Sequence, residues 1–411
     1  MYDIVIVGGG ISGLYMYYKL LPNTKNILLL EKNRSFGGRI YQHEEKFNGE
    51  MLSFPAGAAR FNKNHERVIK LLRDFELLDF RKDKGFPAKI HFIDSKNQFS
   101  QKFNNKNGFE YIKKLLKKVD KNDFESLKQY SFQEYANLHL PSDEVEFLLV
   151  ASGYSGQLKK MNMYDAYNLF KEGIRDDIQY YGGYFHKLID KIVSKLIKMK
   201  CKLYLNSEVK NIRYSNEDRC YIVRYNNTEV KTNKIVLSLP KPALLKLSIL
   251  EPIHQILEKS IDCKPLCRVY AKYKKEDVWF ADIIKTVTNN PLRFIIPIDI
   301  EKGIIMISYT DDIYTNYWEK RQGNQGLLKK TVKRLVNNTF KIDSPEPEKV
   351  WVFNWNCGVG YWKKRMDSKT ISEFLINPIE NIYICGENYS LVQSWIEGAL
   401  ESCDRVIKKL E

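Results

Sequence analysis

The feature that most constrains this chain is a glycine-rich turn between a short apolar strand and a helix. Asp3-Ile4-Val5-Ile6-Val7 is followed by Gly8-Gly9-Gly10-Ile11-Ser12-Gly13. Apolar spacing then predicts a helix from about Ser12 to Leu21, stopped at Pro22-Asn23. A second apolar strand, Asn26 to Leu30, ends in Glu31, 18 positions beyond Gly13. A strand buried on both faces reads as a continuous apolar run, so this is a parallel βαβ unit. In it Gly8 permits the tight turn, Gly10 lets the backbone approach a pyrophosphate, and Gly13 lets the helix pack close to the strand. The helix N-terminus, with the amides of Ile11 and Ser12, offers donors and partial positive charge to phosphate. Glu31 is placed to accept hydrogen bonds from ribose hydroxyls.

The rest of the 411-residue chain builds around that unit. Hydrophobic residues make up 44% and charged residues 28%, which suits a globular chain of two or three domain-sized parts and excludes a disordered one. No apolar stretch is long enough to span a bilayer, and Met1-Tyr2-Asp3 lacks a basic leader, so a cytoplasmic protein is expected. Seven scattered cysteines then read as free thiols. Neither they nor the six histidines show metal-ligand spacing, so no metal is expected. The net charge of +16 is a hint of nucleic acid, an anionic surface or an anionic substrate. Lysines 113, 114, 117 and 118, and 187, 191, 195 and 198, however, fall opposite apolar residues at helical spacing and read as solvated helix faces. Nucleic acid is therefore not favoured as a partner, and oligomeric state is not legible.

Along the chain, residues 62–180 read as mainly helical. From Cys201 the pattern alternates as in a meander returning to the first sheet, and strands follow at 268–273, 293–298 and 303–309. Asn381-Ile382-Tyr383-Ile384-Cys385 is a last buried strand before a closing helix. The expected fold is α/β, a Rossmann-like domain assembled from segments 1–61, 181–245 and 379–411. The inserted α+β domain, a mixed sheet flanked by helices, takes 62–180 and 246–378.

Two further elements sharpen the reading. Glu31-Lys32-Asn33-Arg34-Ser35-Phe36-Gly37-Gly38-Arg39 sets a glycine pair and an arginine just past the ribose acid. Cys385-Gly386-Glu387 ends the last strand, and Trp395-Ile396-Glu397-Gly398-Ala399 opens the final helix. Together these resemble the flavin-containing amine oxidases, which comprise monoamine, polyamine and L-amino-acid oxidases, over almost the whole chain. The resemblance implies noncovalent FAD, because Gly360 and not a cysteine precedes Tyr361. It implies Glu31 on the adenosine ribose, Val209 at the adenine, Arg39 near pyrophosphate and flavin, and Glu387 on the ribityl chain. Lys32, Gly38, Gly57, Ala58, Ala59, Gly386, Ile396 and Ala399 are further cofactor contacts it implies.

For the substrate, Gly57-Ala58-Ala59-Arg60-Phe61 resembles the L-amino-acid oxidase form of the family's second glycine motif, in which the arginine takes the substrate carboxylate. Trp395 matches one wall of an aromatic amine cage, with Tyr361 or Trp362 as the other. Two departures stand out. Isoleucines occupy 295–296, where amino-acid oxidases place a carboxylate-binding tyrosine. Arg268 replaces the family lysine that holds a water against the flavin. The expected reaction is hydride transfer from the α-carbon of an amine, favouring an L-amino acid, followed by imine hydrolysis and reduction of O2 to hydrogen peroxide. A monoamine or polyamine oxidase is the alternative. So is a basic FAD-binding structural or nucleic-acid-associated protein whose catalysis has decayed.

Overall fold

In the computed structural model, which describes residues 1–80, 90–173 and 179–411, the opening motif folds as strand Tyr2–Val7, helix Ile11–Leu20 and strand Ile27–Leu30. Both strands are apolar on both faces because they lie inside a sheet covered on both sides. Ile4 pairs with Ile27 on one side and Lys234 on the other, all in parallel register. The strand Thr228–Leu237 is shared along its length. Its first half pairs with Cys220–Tyr225 and its second half with Ile382–Ile384. Segments far apart in sequence therefore meet at one sheet, with their C-terminal ends beside the glycine turn.

The stretch from Cys201 departs from a simple meander. Lys202–Tyr204 joins the far side of the sheet, parallel to Ile27–Leu30, while 209–237 forms the antiparallel meander. Helix Ile396–Leu410 packs on Ile11–Leu20, and the Tyr15 hydroxyl donates to Asp404 across the contact (2.7 Å).

A second, mixed sheet runs in the order 349–362, 261–272, 304–311, 294–299, 286–288 and 91–93, with only the last pair parallel. Helices Gly108–Leu116, Phe132–His139, Ser142–Ala151 and Met163–Gly173 form the helical part around their own aromatic core. Asn107 and Ser131 each begin their helix with a reciprocal capping box. The stretches 81–89 and 174–178 of the expected helical region lie outside the described residues.

The free-thiol expectation fails at one pair. Cys263 and Cys357 form a disulfide, with Cα atoms 5.1 Å apart. Strands 261–272 and 349–362 are neighbours, and a register shift between Lys264 and Leu266 brings the two cysteines together. Their separation of 94 positions hides this pairing from any local spacing rule. Cys201, Cys220, Cys267, Cys385 and Cys403 are free. No helix among the described residues is long and apolar enough to cross a membrane.

Candidate active site

The glycine turn carries the geometry its sequence requires. Gly8 has φ +107°, a conformation that side chains rarely adopt. A Cβ on Gly13 would lie 1.9 Å from the Gly8 carbonyl oxygen, so helix and strand touch through bare backbone. Gly10 differs: its added Cβ would meet only the Cα of Gly38, at 4.0 Å. Gly10 also caps the helix without a side-chain acceptor. Between Gly10 and Gly38 there is thus an open cradle at a helix N-terminus, which fits a pyrophosphate.

Glu31 is buried and accepts from the amides of Gly9 (2.7 Å) and Asn33 (2.8 Å). A carboxylate has about four acceptor sites, so two remain for ribose hydroxyls. The amide of Ser207 donates to the Glu31 carbonyl (2.8 Å), which lays the segment leading to Val209 beside the ribose acid. Lys32 is exposed next to it.

Glu387 is differently engaged. Its Oε1 accepts from the amides of Gly360 (2.9 Å) and Ser394 (2.7 Å), and its Oε2 from Arg39 (2.6 Å) and Asn388 (2.8 Å). All four sites are filled from within the protein. Glu387 positions Arg39, which also donates to the Gly358 carbonyl (3.1 Å) and lines the adjoining cavity. Gly386, at φ +133°, turns the chain here, and its amide donates to Ser402 in the final helix.

That cavity, of about 230 Å³, is bounded on one side by Arg39, Gly57, Ala58 and Ala59 and on the other by the second sheet. Arg60 begins the short strand Arg60–Asn62, which pairs with Tyr180–Gly182 and so carries Arg60 and Tyr180 to the same cavity. Trp395, at the start of the final helix, stacks on Tyr180 with ring centroids 5.4 Å apart and planes 17° from parallel. Burial pushes the Tyr180 hydroxyl up to about 12, so it is neutral at physiological pH. Ile396 also lines the cavity, while Ala399 is buried behind it.

On the sheet side, Arg268 pairs in register with Tyr309, and Leu266 with Asp311. Alternation puts all four on one face, and all four line the cavity. The Arg268 guanidinium donates to the carbonyls of Gly57 (2.5 Å) and Pro55 (3.3 Å) and lies over the Tyr309 ring, 4.7 Å from its centroid. Burial works against its charge, but Tyr270 and Tyr309 outweigh this and hold its pKa above the ordinary arginine value. Among the described residues it has no carboxylate partner.

Two expected cage residues lie elsewhere. Tyr361 is fully buried among the helices, and its hydroxyl donates to Asp262 (2.9 Å). Trp362, one residue on, faces the opposite way into the core beneath the first sheet and donates to the Ser390 carbonyl (3.0 Å). Neither is among the residues lining the cavity. The ring that faces Trp395 in the cavity is Tyr180, whose three-residue strand carries no periodicity to mark it. No tyrosine stands at 295–296, while Tyr154 and Tyr309 line the cavity from other segments. Ile295 and Ile296 are themselves core residues.

The family profile for flavin-containing amine oxidoreductases matches residues 11–406. The chain belongs to that family. This flavin amine oxidoreductase is 22% identical to an L-amino acid oxidase of Cerastes cerastes, over 97% of this chain and 85% of that one. It is equally similar to a protein of Acanthamoeba polyphaga mimivirus, over 99% of this chain and 93% of the other. Its fold matches that of putrescine oxidase with a TM-score of 0.77 at 13% identity, covering 99% and 98% of the two chains. The cofactor is FAD, and the cradle at Gly10 and Gly38 with Glu31 beyond it fits its dinucleotide.

Proposed function

We propose that the protein oxidises an L-amino acid, with FAD held noncovalently. The observation that carries this reading is the pair of arginines, Arg60 and Arg268, lining one cavity beside an aromatic cage. Arg268 is always charged and, among the described residues, is surrounded by carbonyls and tyrosines with no carboxylate, so a substrate carboxylate supplies the missing counter-charge. Arg60 provides the second guanidinium. Tyr180 and Trp395 flank the amine and keep water from it. FAD, when bound, supplies the two-electron oxidation, taking the α-hydrogen as hydride. The protein contributes position and charge: arginines at the carboxylate, aromatic faces at the amine, and Arg39 held by Glu387 on the cofactor side. The imine product hydrolyses to a keto acid and ammonia, and O2 takes the two electrons to give hydrogen peroxide. Because Cys357 is committed to Cys263, its sulfur is not available for a flavin link.

The test is the visible flavin spectrum of the purified protein under anaerobic conditions. An L-amino acid is expected to bleach it, and Arg60→Ala is expected to lower kcat/KM about 100-fold, the usual scale for losing a desolvated charge partner. Bleaching by monoamines or putrescine but by no amino acid refutes the reading.

A further inference from the structure

The cavity holds one acidic side chain whose chemistry the carboxylate and amine contacts leave unused. Asp311 ends strand Ile304–Asp311, lines the cavity and is only 2% exposed. Its Oδ2 accepts from the amides of Gly156 (2.9 Å) and Gln157 (3.3 Å) at the start of helix Ser155–Lys160. Its Oδ1 is buried with no partner, the only such side-chain atom among the described cavity-lining residues. A buried acceptor left unpaired is costly, more so when charged, so such an atom points to a missing donor.

We propose that the substrate is an L-amino acid with a cationic side chain, its distal cation bound by Asp311. The inference rests on the amino-acid reading above and adds the side-chain class. Asp311 lies on the same sheet face as Arg268, offset by two residues, or about 7 Å along a strand. A carboxylate at Arg268 and a cation at Asp311 are thus separated by a span that an extended aliphatic stem bridges. The wall also carries Leu158, Phe109, Leu169 and Phe170, apolar surface suited to methylenes. The charged groups acting on Asp311 are Arg293 and Asp312, whereas Arg60 and Arg268 act on Tyr154. Burial raises the Asp311 carboxyl above the usual carboxylate range in spite of Arg293, the charged neighbour that pulls it down. Arg293 itself is not among the cavity-lining residues, and its Nε and Nη2 are also unpartnered. The rival occupant is therefore a water bridging Arg293 and Asp311, which predicts no preference for a cationic side chain.

The experiment compares anaerobic flavin reduction of the holoprotein by L-lysine and L-ornithine with reduction by L-norleucine, which has the aliphatic stem without the ammonium. The expected result is a kcat/KM for L-lysine about 10- to 100-fold above that for L-norleucine, the scale of one charge-assisted hydrogen bond. Asp311→Asn keeps an acceptor for Gly156 and Gln157 and is expected to collapse that ratio. Calorimetric binding of 6-aminohexanoate against hexanoate gives the same comparison without turnover, and decides the matter if the variant does not fold. Equal or better use of L-norleucine overturns this inference and leaves the amino-acid reading standing. Reduction by putrescine with none by any L-amino acid overturns both.

Discussion

Two glycines in one turn are expected to fail in opposite ways. Gly13→Ala would place a methyl carbon 1.9 Å from the Gly8 carbonyl oxygen and 2.7 Å from Ser238 Oγ. The first neighbour is backbone in the central strand, so the helix must lift by more than an ångström from a sheet packed on both faces. Overpacking of that kind costs about 1–3 kcal/mol or more, and the loss appears in the apoprotein. Gly10→Ala meets nothing nearer than Gly38 Cα at 4.0 Å, and Gly10 sits at φ −72°, a conformation alanine adopts freely. Its cost to the apoprotein is the difference between a glycine and an alanine helix cap, about 1 kcal/mol at most, partly offset by a stiffer unfolded chain. Its cost to FAD binding is large, because the methyl occupies the space between Gly10 and Gly38. The assay pairs thermal unfolding of the FAD-free proteins with FAD titration. Gly10→Ala should melt close to the parent yet bind FAD at least about tenfold more weakly, a change of about 1.4 kcal/mol. Gly13→Ala should lose both. Parental FAD affinity in Gly10→Ala would refute the assignment of the cradle.

Three further outcomes follow from the site and its surroundings. Trp395→Ala removes the ring stacked on Tyr180 and should lower kcat/KM about 10- to 100-fold while the 450-nm-type flavin band remains, checked by absorbance and steady-state kinetics. Burial pushes His65 down to about 4. The unfolded imidazole takes up its proton near 6.5, so stability is full above that pH and falls by about 3 kcal/mol as pH drops toward 4. His65→Gln should remove this slope from urea unfolding midpoints. Burial raises Asp165 to about 7, so its effect has the opposite sign, with stability lost as pH rises from about 4 through 7. Asp165→Asn should therefore stabilise the protein at pH 8 and change little at pH 4, read from the same unfolding curves.

The cofactor half of this molecule was legible because its constraints are local. A bare backbone at Gly8, Gly10 and Gly13, and an acid at the end of the next strand, must recur at short spacing wherever a dinucleotide lies on a helix N-terminus. The strands 2–7, 27–30 and 382–384 were equally plain, since a sheet covered on both faces admits only apolar runs. The cavity beside it was not, because its walls come from single residues on elements that meet only in the fold. Tyr180 arrives through a three-residue strand paired with Arg60–Asn62, Tyr154 from a turn that precedes a short helix, and Tyr309 and Asp311 from one face of a strand. Tyr361 and Trp362 stand where the family resemblance implies an aromatic of the cage. Consecutive strand residues point to opposite sides, and here both sides are core. Cys263 and Cys357 were missed for the same reason as Tyr180: pairing across two strands leaves no mark in the residues beside either partner.

Arg268 is where local and global constraints meet. Read as a replacement for a lysine, it speaks against efficient reaction with oxygen. In the folded protein it is built into the wall by the Gly57 and Pro55 carbonyls and the Tyr309 face, with Tyr270 donating to the same Pro55 carbonyl (2.5 Å). A guanidinium held by two neutral acceptors and a ring keeps its full charge in a largely apolar cavity, which is costly unless an anion answers it. Arg268→Lys therefore does more than restore a familiar side chain. A lysine ammonium is a compact point charge and cannot span both carbonyls while offering an edge to a carboxylate. The substitution is expected to raise KM for the amino acid more than it changes the rate of flavin reduction at saturation. If kcat falls while KM stays, Arg268 acts on the flavin side of the cavity, and the carboxylate depends on Arg60 alone.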